Sequence, residues 1–158
     1  MYEKIKAATD RFFQAAAQEE VFETRKENNT DTNDVTASGD GTWQTRGFAS
    51  LYGVASLIGF YTGKVLDILV KSAHCQLCKI WENRLTTVEY EEWYEKHVEE
   101  GKCETNHSGP AGNMETAAVK EMFRRSEEKL GVRYRNYIGD GDSKTFTGIH
   151  GELSLIHI

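Results

Sequence analysis

Hydrophobic and polar positions change period several times along the chain. Residues 2–22 set Tyr2, Ile5, Phe12, Phe13, Ala16 and Val21 among charges, an imperfect helical stripe. Residues 23–34 (ETRKENNTDTND) have no apolar period and predict a polar loop. From Val35 the pattern becomes β-like, and residues 35–43 predict a strand that carries Gly39-Asp40-Gly41 near its end. Residues 51–61 and 64–70 are rich in β-formers. Thr62-Gly63 between them predicts a two-residue hairpin turn, so the three strands read as an antiparallel meander.

Residues 75–107 break this pattern. Thr86 and Glu89 form a capping box, and Tyr90, Trp93, Tyr94, His97 and Val98 then share one helical face that Gly101 ends. After a Gly/Pro loop comes the best helix of the chain, residues 114–130. It has Asn113 as its cap, Ala118, Val119, Met122, Phe123 and Leu130 as its buried stripe, and Gly131 as its stop. Residues 134–138 predict a short strand running into Gly139-Asp140-Gly141-Asp142. The order is therefore β-β-β, an insert, α, β. That order sets the first strand beside the fourth in one sheet.

With 158 residues, 39% hydrophobic, the chain has material for one ordinary core. No apolar run reaches the roughly 18 residues that span a bilayer, and the start lacks a signal-peptide core, so no membrane partner is expected. The formal net charge of -6 excludes a protein that is basic all over, so contact with nucleic acid has to come from a local patch. Lys120, Arg124, Arg125, Lys129, Arg133 and Arg135 form such a patch, although a solvated helix face with i,i+4 pairing, such as Glu121 with Arg125, is the better reading for most of them. Trp43 reads as a core anchor before a base-stacking platform.

Two constellations carry chemistry. Asp40 and Asp140 each have glycine on both sides and each are read as ending a strand. If those strands are neighbours, the two carboxylates can share a divalent cation, as phosphoryl transfer on nucleic acid requires; Mg²⁺ suits such a site. Asp142 is the substitute for Asp140. Taken singly, an Asp-Gly pair is most often only a turn. The second constellation is Cys75-Gln76-Leu77-Cys78 with Cys103 and either His97 or His107, a donor set for tetrahedral Zn²⁺ in a closed, structural site. His97 is favoured because it faces inward from its helix. Unrelated buried cysteines and a satisfied core histidine are the plain alternative.

The ordered set of segments resembles the Mutator-like transposase domain of animal genomes. These segments are Gly39-Asp40-Gly41-Thr42-Trp43-Gln44, Thr62-Gly63-Lys64-Val65-Leu66-Asp67 and Cys75-Gln76-Leu77-Cys78. His97, Cys103, Asn106, Gly109, Met114-Glu115 and Arg125-Ser126-Glu127 follow, and Tyr137-Ile138-Gly139-Asp140-Gly141-Asp142-Ser143-Lys144 closes the set. The resemblance implies an α/β, RNase H-like mixed sheet with a zinc-binding insert between the third strand and the main helix. It implies DDE/D cleavage and strand transfer of DNA with Mg²⁺ or Mn²⁺, a nuclear location, and room for a homo-oligomer in the full-length parent. Asp40 matches the first acid and Asp140 the second; Arg124, Arg125, Lys129, Arg133 and Lys144 are the expected DNA contacts.

The chain also departs from the family pattern. The family's third acid, a Glu on a later helix, has no counterpart here, since Glu152 is too close to Asp140. Pro110-Ala111 stands where two small hydroxyl residues are usual. The last six residues, Leu153-Ser154-Leu155-Ile156-His157-Ile158, resemble a translated mosaic-end adapter from tagmentation libraries. The expected organisation is thus residues 1–34 as helix and polar linker, 35–152 as a partial catalytic domain with its insert at 75–107, and 153–158 as an adapter-derived tail. A fragment inactive on its own is expected, with a non-catalytic zinc module for DNA or protein binding as the alternative.

Overall fold

A computed structural model describes residues 2–43 and 50–139, the side chain of Tyr2 excepted. The fold is α/β, with a mixed four-stranded sheet and four helices among the described residues. The elements are α1 (Tyr2–Asn28), β1 (Asp34–Trp43), β2 (Tyr52–Gly59), β3 (Val65–Ser72), α2 (Gln76–Glu82), α3 (Thr87–Glu99), α4 (Met114–Leu130) and β4 (Arg133–Ile138), with a 3₁₀ turn at Ala111–Asn113 before α4. The strand order is β3-β2-β1-β4. β1, β2 and β3 form the antiparallel meander, and α4 crosses the sheet to deliver β4 parallel to β1. No helix among the described residues is long and apolar enough to cross a membrane.

Alternation explains the core. Val35 and Ala37 on β1, Ala55 and Leu57 on β2, and Leu66 on β3 turn to one face. There they meet Phe13, Ala16, Ala17 and Val21 of α1 and Ala118, Val119, Met122 and Phe123 of α4. The stripe predicted for α4 is all buried, and Gly131 stops the helix in the left-handed region (φ 68°). Asn113 makes no side-chain cap; the preceding 3₁₀ turn leads into the helix instead.

Two local expectations are corrected. Residues 23–28, expected to be loop, continue α1, which ends at Asn29 with φ 50°. Glu20 and Thr24 extend the buried face of the helix, and their polarity hides its period from a hydropathy reading. The hairpin turn is also wider than two residues, for β2 stops at Gly59 and β3 starts at Val65. The fully buried Glu20 carboxylate holds this loop. It accepts from the amides of Tyr61 (3.0 Å) and Thr62 (2.9 Å) and from the Thr62 hydroxyl (2.7 Å).

Charges fix α4 to the sheet edge. Asp67 on β3 is fully buried and accepts from Arg125 Nε (3.0 Å), Arg125 Nη2 (2.9 Å), Lys129 Nζ (2.9 Å) and the Ile68 amide (3.0 Å). At the end of β3, Asn106 substitutes for a neighbouring strand. Its amide donates to Ser72 O (2.9 Å), its side chain accepts from Ser72 N (2.8 Å), and its Nδ2 donates to Val70 O (3.0 Å).

The glycines beside Asp40 do not turn the chain. Both lie in extended β1, so Asp40 sits inside the strand and not at its end, as the sequence had suggested. Their role is close approach. A Cβ at Gly39 would come within 2.5 Å of Tyr137 Cε2, and one at Gly41 within 2.6 Å of Glu115 Oε2. Tyr137 presents a rigid ring, whereas the Glu115 carboxylate can swing aside. Gly39→Ala is therefore expected to lower stability by about 2 kcal/mol, and Gly41→Ala by less, as urea unfolding would read.

Candidate metal centres

The insert converges on one point. Cys75 immediately precedes α2, Cys78 lies in its first turn, His97 sits in the last turn of α3, and Cys103 follows that helix. Their donor atoms all lie within 4.8 Å of one another. Cys75 Sγ is 3.4 Å from His97 Nε2, and Cys78 Sγ is 3.7 Å from Cys103 Sγ. A tetrahedral zinc, with bonds of about 2.3 Å to sulfur and about 2.0 Å to nitrogen, has S–S edges of about 3.8 Å and S–N edges of about 3.5 Å. The donor set and these two edges fit that ion.

Local sequence explains the convergence. The capping box is present in full: Thr86 accepts from the Glu89 amide, and Glu89 accepts from the Thr86 amide and hydroxyl. It starts α3 in the register that turns His97 inward. Trp93, one turn earlier, stacks on the His97 ring (centroids 4.5 Å apart, 17° between planes) and fixes its orientation. The i,i+4 spacing of Trp93 and His97 was the sequence signal for this support, which was not read as part of the site. His107 lies elsewhere, also buried, with Nε2 3.3 Å from Pro110 O.

Electrostatics at the cluster are those of crowded thiols. Burial pushes the Cys75 thiol up, but hydrogen bonds from the backbone of Cys78 and Glu104, the His97 ring and the Cys78 side chain together outweigh it and bring it down to about 6. Burial, followed by the Cys75 and Cys103 sulfurs, pushes Cys78 up to about 12. A divalent cation relieves this conflict by letting every sulfur hold negative charge.

The second constellation is described on one side only. Asp40 projects from the middle of β1, exposed, with its carbonyl oxygen 3.5 Å from the Ser56 hydroxyl. β1 pairs with β4 in parallel, with Ser38 opposite Ile138. Asp140, Asp142, Lys144 and the segment 153–158 lie outside the described residues.

Of the expected DNA contacts, Arg125 and Lys129 are both drawn to Asp67, and Arg133 to Asp34 (2.6 Å). Arg124 is exposed on α4. Trp43 is half-buried and donates to Ala111 O (3.2 Å), which anchors the end of β1 to the loop before α4.

A family model described as Mutator-like transposase matches residues 2–156. No curated protein and no solved structure matches the chain.

Proposed function

Because the chain belongs to the Mutator-like transposases, we propose that it carries part of the centre that cuts and joins DNA strands, with Asp40 and Asp140 as its metal-holding carboxylates. Membership implies a transposase-related function and action on DNA. The register of β1 against β4 carries the finer reading. Ser38 faces Ile138, and each aspartate follows its strand partner by two residues in sequence. That equal spacing beyond a parallel pair of strands supports the reading that the two carboxylates share one cation.

Asp40 alternates with Gly39 and Gly41 to the sheet face away from the α1–α4 core and is exposed there, which leaves its carboxylate open to waters and phosphate oxygens. Mg²⁺ or Mn²⁺ suits such hard oxygen donors, and Asp142 can stand in for Asp140. When bound, the cation supplies activation of the attacking oxygen and stabilisation of the leaving one. The chain's own part is to hold the carboxylates. β2 and β4 flank β1 and fix it in the sheet, and Tyr137 packed against Gly39 keeps β4 in register. This β-β-β-α-β order supports an RNase H-like assignment, and the Cys75, Cys78, His97 and Cys103 cluster supports a structural zinc in the insert.

Arg124 and Lys144 are the proposed contacts to DNA phosphates, while Arg125, Lys129 and Arg133 serve mainly to hold α4 and β4. That internal pairing is also the observation favouring the second reading, a zinc-binding interaction module without catalysis.

Manganese titration followed by NMR separates the two. Paramagnetic broadening is expected at the amides around Asp40 and is expected to vanish in Asp40→Asn. Broadening that spares β1, or that survives the substitution, rejects the metal site and leaves the interaction module.

A further inference from the structure

The 27-residue α1 carries two stripes. Phe13, Ala16, Ala17, Glu20, Val21 and Thr24 face the core. Ile5, Ala8, Phe12, Ala15, Glu19 and Phe22 lie on the other side, all exposed, in alternating steps of three and four residues. At about 100° per residue the two stripes are centred roughly 140° apart around the helix. The second stripe has the spacing of a coiled-coil seam, and Ile5, Phe12 and Phe22 remain 59%, 56% and 64% exposed on it. Large apolar side chains lined up in water mark a surface that another surface covers.

We infer that this stripe is a self-association surface, on which α1 of a second copy of the chain packs antiparallel. The stripe is self-complementary about a two-fold axis passing between residues 13 and 14. Ile5 then meets Phe22 of the second copy, Phe12 meets its Ala15, and Ala8 meets its Glu19. Each bulky side chain at the centre faces a small one, which lets the helices approach closely.

Charge selects the direction. A parallel pair would set Glu19 against Glu19 within the seam. The antiparallel pair sets it over alanine, where its carboxylate keeps its ion pair with Lys64 (2.5 Å). From Ile5 to Phe22 the seam is about 26 Å long at 1.5 Å per residue. One helix pair of that length lies at the low end of specific interfaces, so the dimer forms in a concentration-dependent way. This surface is independent of the metal sites and of the proposed chemistry.

Sedimentation velocity of the whole chain over a concentration series tests it. The wild type is expected to shift from monomer to dimer. Phe12→Glu, and separately Ile5→Glu, which is remote from the core, are each expected to raise the dissociation constant by at least about tenfold. Phe60→Glu, at an exposed phenylalanine on the hairpin, is expected to leave it unchanged. A wild type that stays monomeric throughout overturns the proposal, as does a dimer that both stripe variants retain. A disulfide between two Ala8→Cys chains overturns the antiparallel arrangement, because only a parallel pair brings those positions together.

Discussion

Asp67→Ala is expected to cost about 3 kcal/mol of stability, one of the largest effects of any single substitution in this chain. Asp67 is fully buried, and its carboxylate is the common acceptor for a forked arginine, a lysine and a backbone amide. Removing it leaves the Arg125 and Lys129 cations without their shared partner, each with only 28% of its side chain in water. Both cations retain some relief. Arg125 also reaches Ile68 O, and Lys129 lies 4.0 Å from Asp10, which keeps the loss below that of a sealed charge. Asp67→Asn keeps an acceptor and should lose less. Replacing all three groups together with apolar side chains of similar volume should recover most of the loss, because an intact buried ion cluster is itself little more stable than a packed apolar one. Urea midpoints with unchanged slopes are the measurement, and an Asp67→Ala midpoint equal to that of the wild type would sink the argument.

Removing zinc is expected to unfold the insert while the sheet stays folded. α2 has no buried residue, and α3 buries only His97, so the 7 and 13 residues of these helices have little apolar core to hold them. Their order rests on the Cys/His cluster and on the aromatic layer of Trp81, Trp93 and Tyr90 around it. Elemental analysis should find about one zinc per chain, lost in Cys78→Ser. Hydrogen exchange should then show loss of protection in both insert helices and not in α4. A well-folded insert free of zinc would reject the site. The pH dependence has a definite sign, since zinc binds deprotonated sulfur and acid competes with it. With Cys78 pushed up to about 12, binding at neutral pH must release its proton. With Cys75 near 6, affinity should fall further below that pH. Calorimetry in buffers of different ionisation enthalpy counts the protons released.

Much of this architecture was legible because the relevant signals were local. The Thr86–Glu89 box, the apolar face of α4, Gly131 and the alternation of β1 and β2 each depend on residues a few positions apart. The pairing of β1 with β4 was read from the order of elements, and the helix that crosses the sheet does return its next strand beside the first. Several failures share a cause, which is polar residues placed where the core is. Glu20 and Thr24 conceal the length of α1, and Glu20 also widens the hairpin through contacts 41 and 42 residues away in sequence. Arg125 and Lys129 looked like a surface patch for the same reason, because Asp67, which draws them in, sits among the apolar residues of a strand. The glycines at 39 and 41 were seen but misread. A turn needs glycine for its dihedral angles, whereas here the partners are Tyr137 and Glu115, visible only in three dimensions. Within the cluster, spacing admitted two histidines, and the inward face of α3 favoured the one that the structure brings to the sulfurs.

The contacts of Asn106 with Val70 and Ser72 bear on solubility. β3 ends the described sheet on one side, and a bare strand edge is a template for joining other chains. Asn106 occupies that edge with both its backbone and its side chain, and only two residues separate it from Cys103, so the cluster that orders the insert also tethers this plug. If the cluster holds zinc as proposed, loss of the ion is expected to release this plug and bare the end of the outer strand from Val70 to Ser72. The metal-free chain is then expected to aggregate more readily, amyloid-like stacking of open strand edges being the hazard.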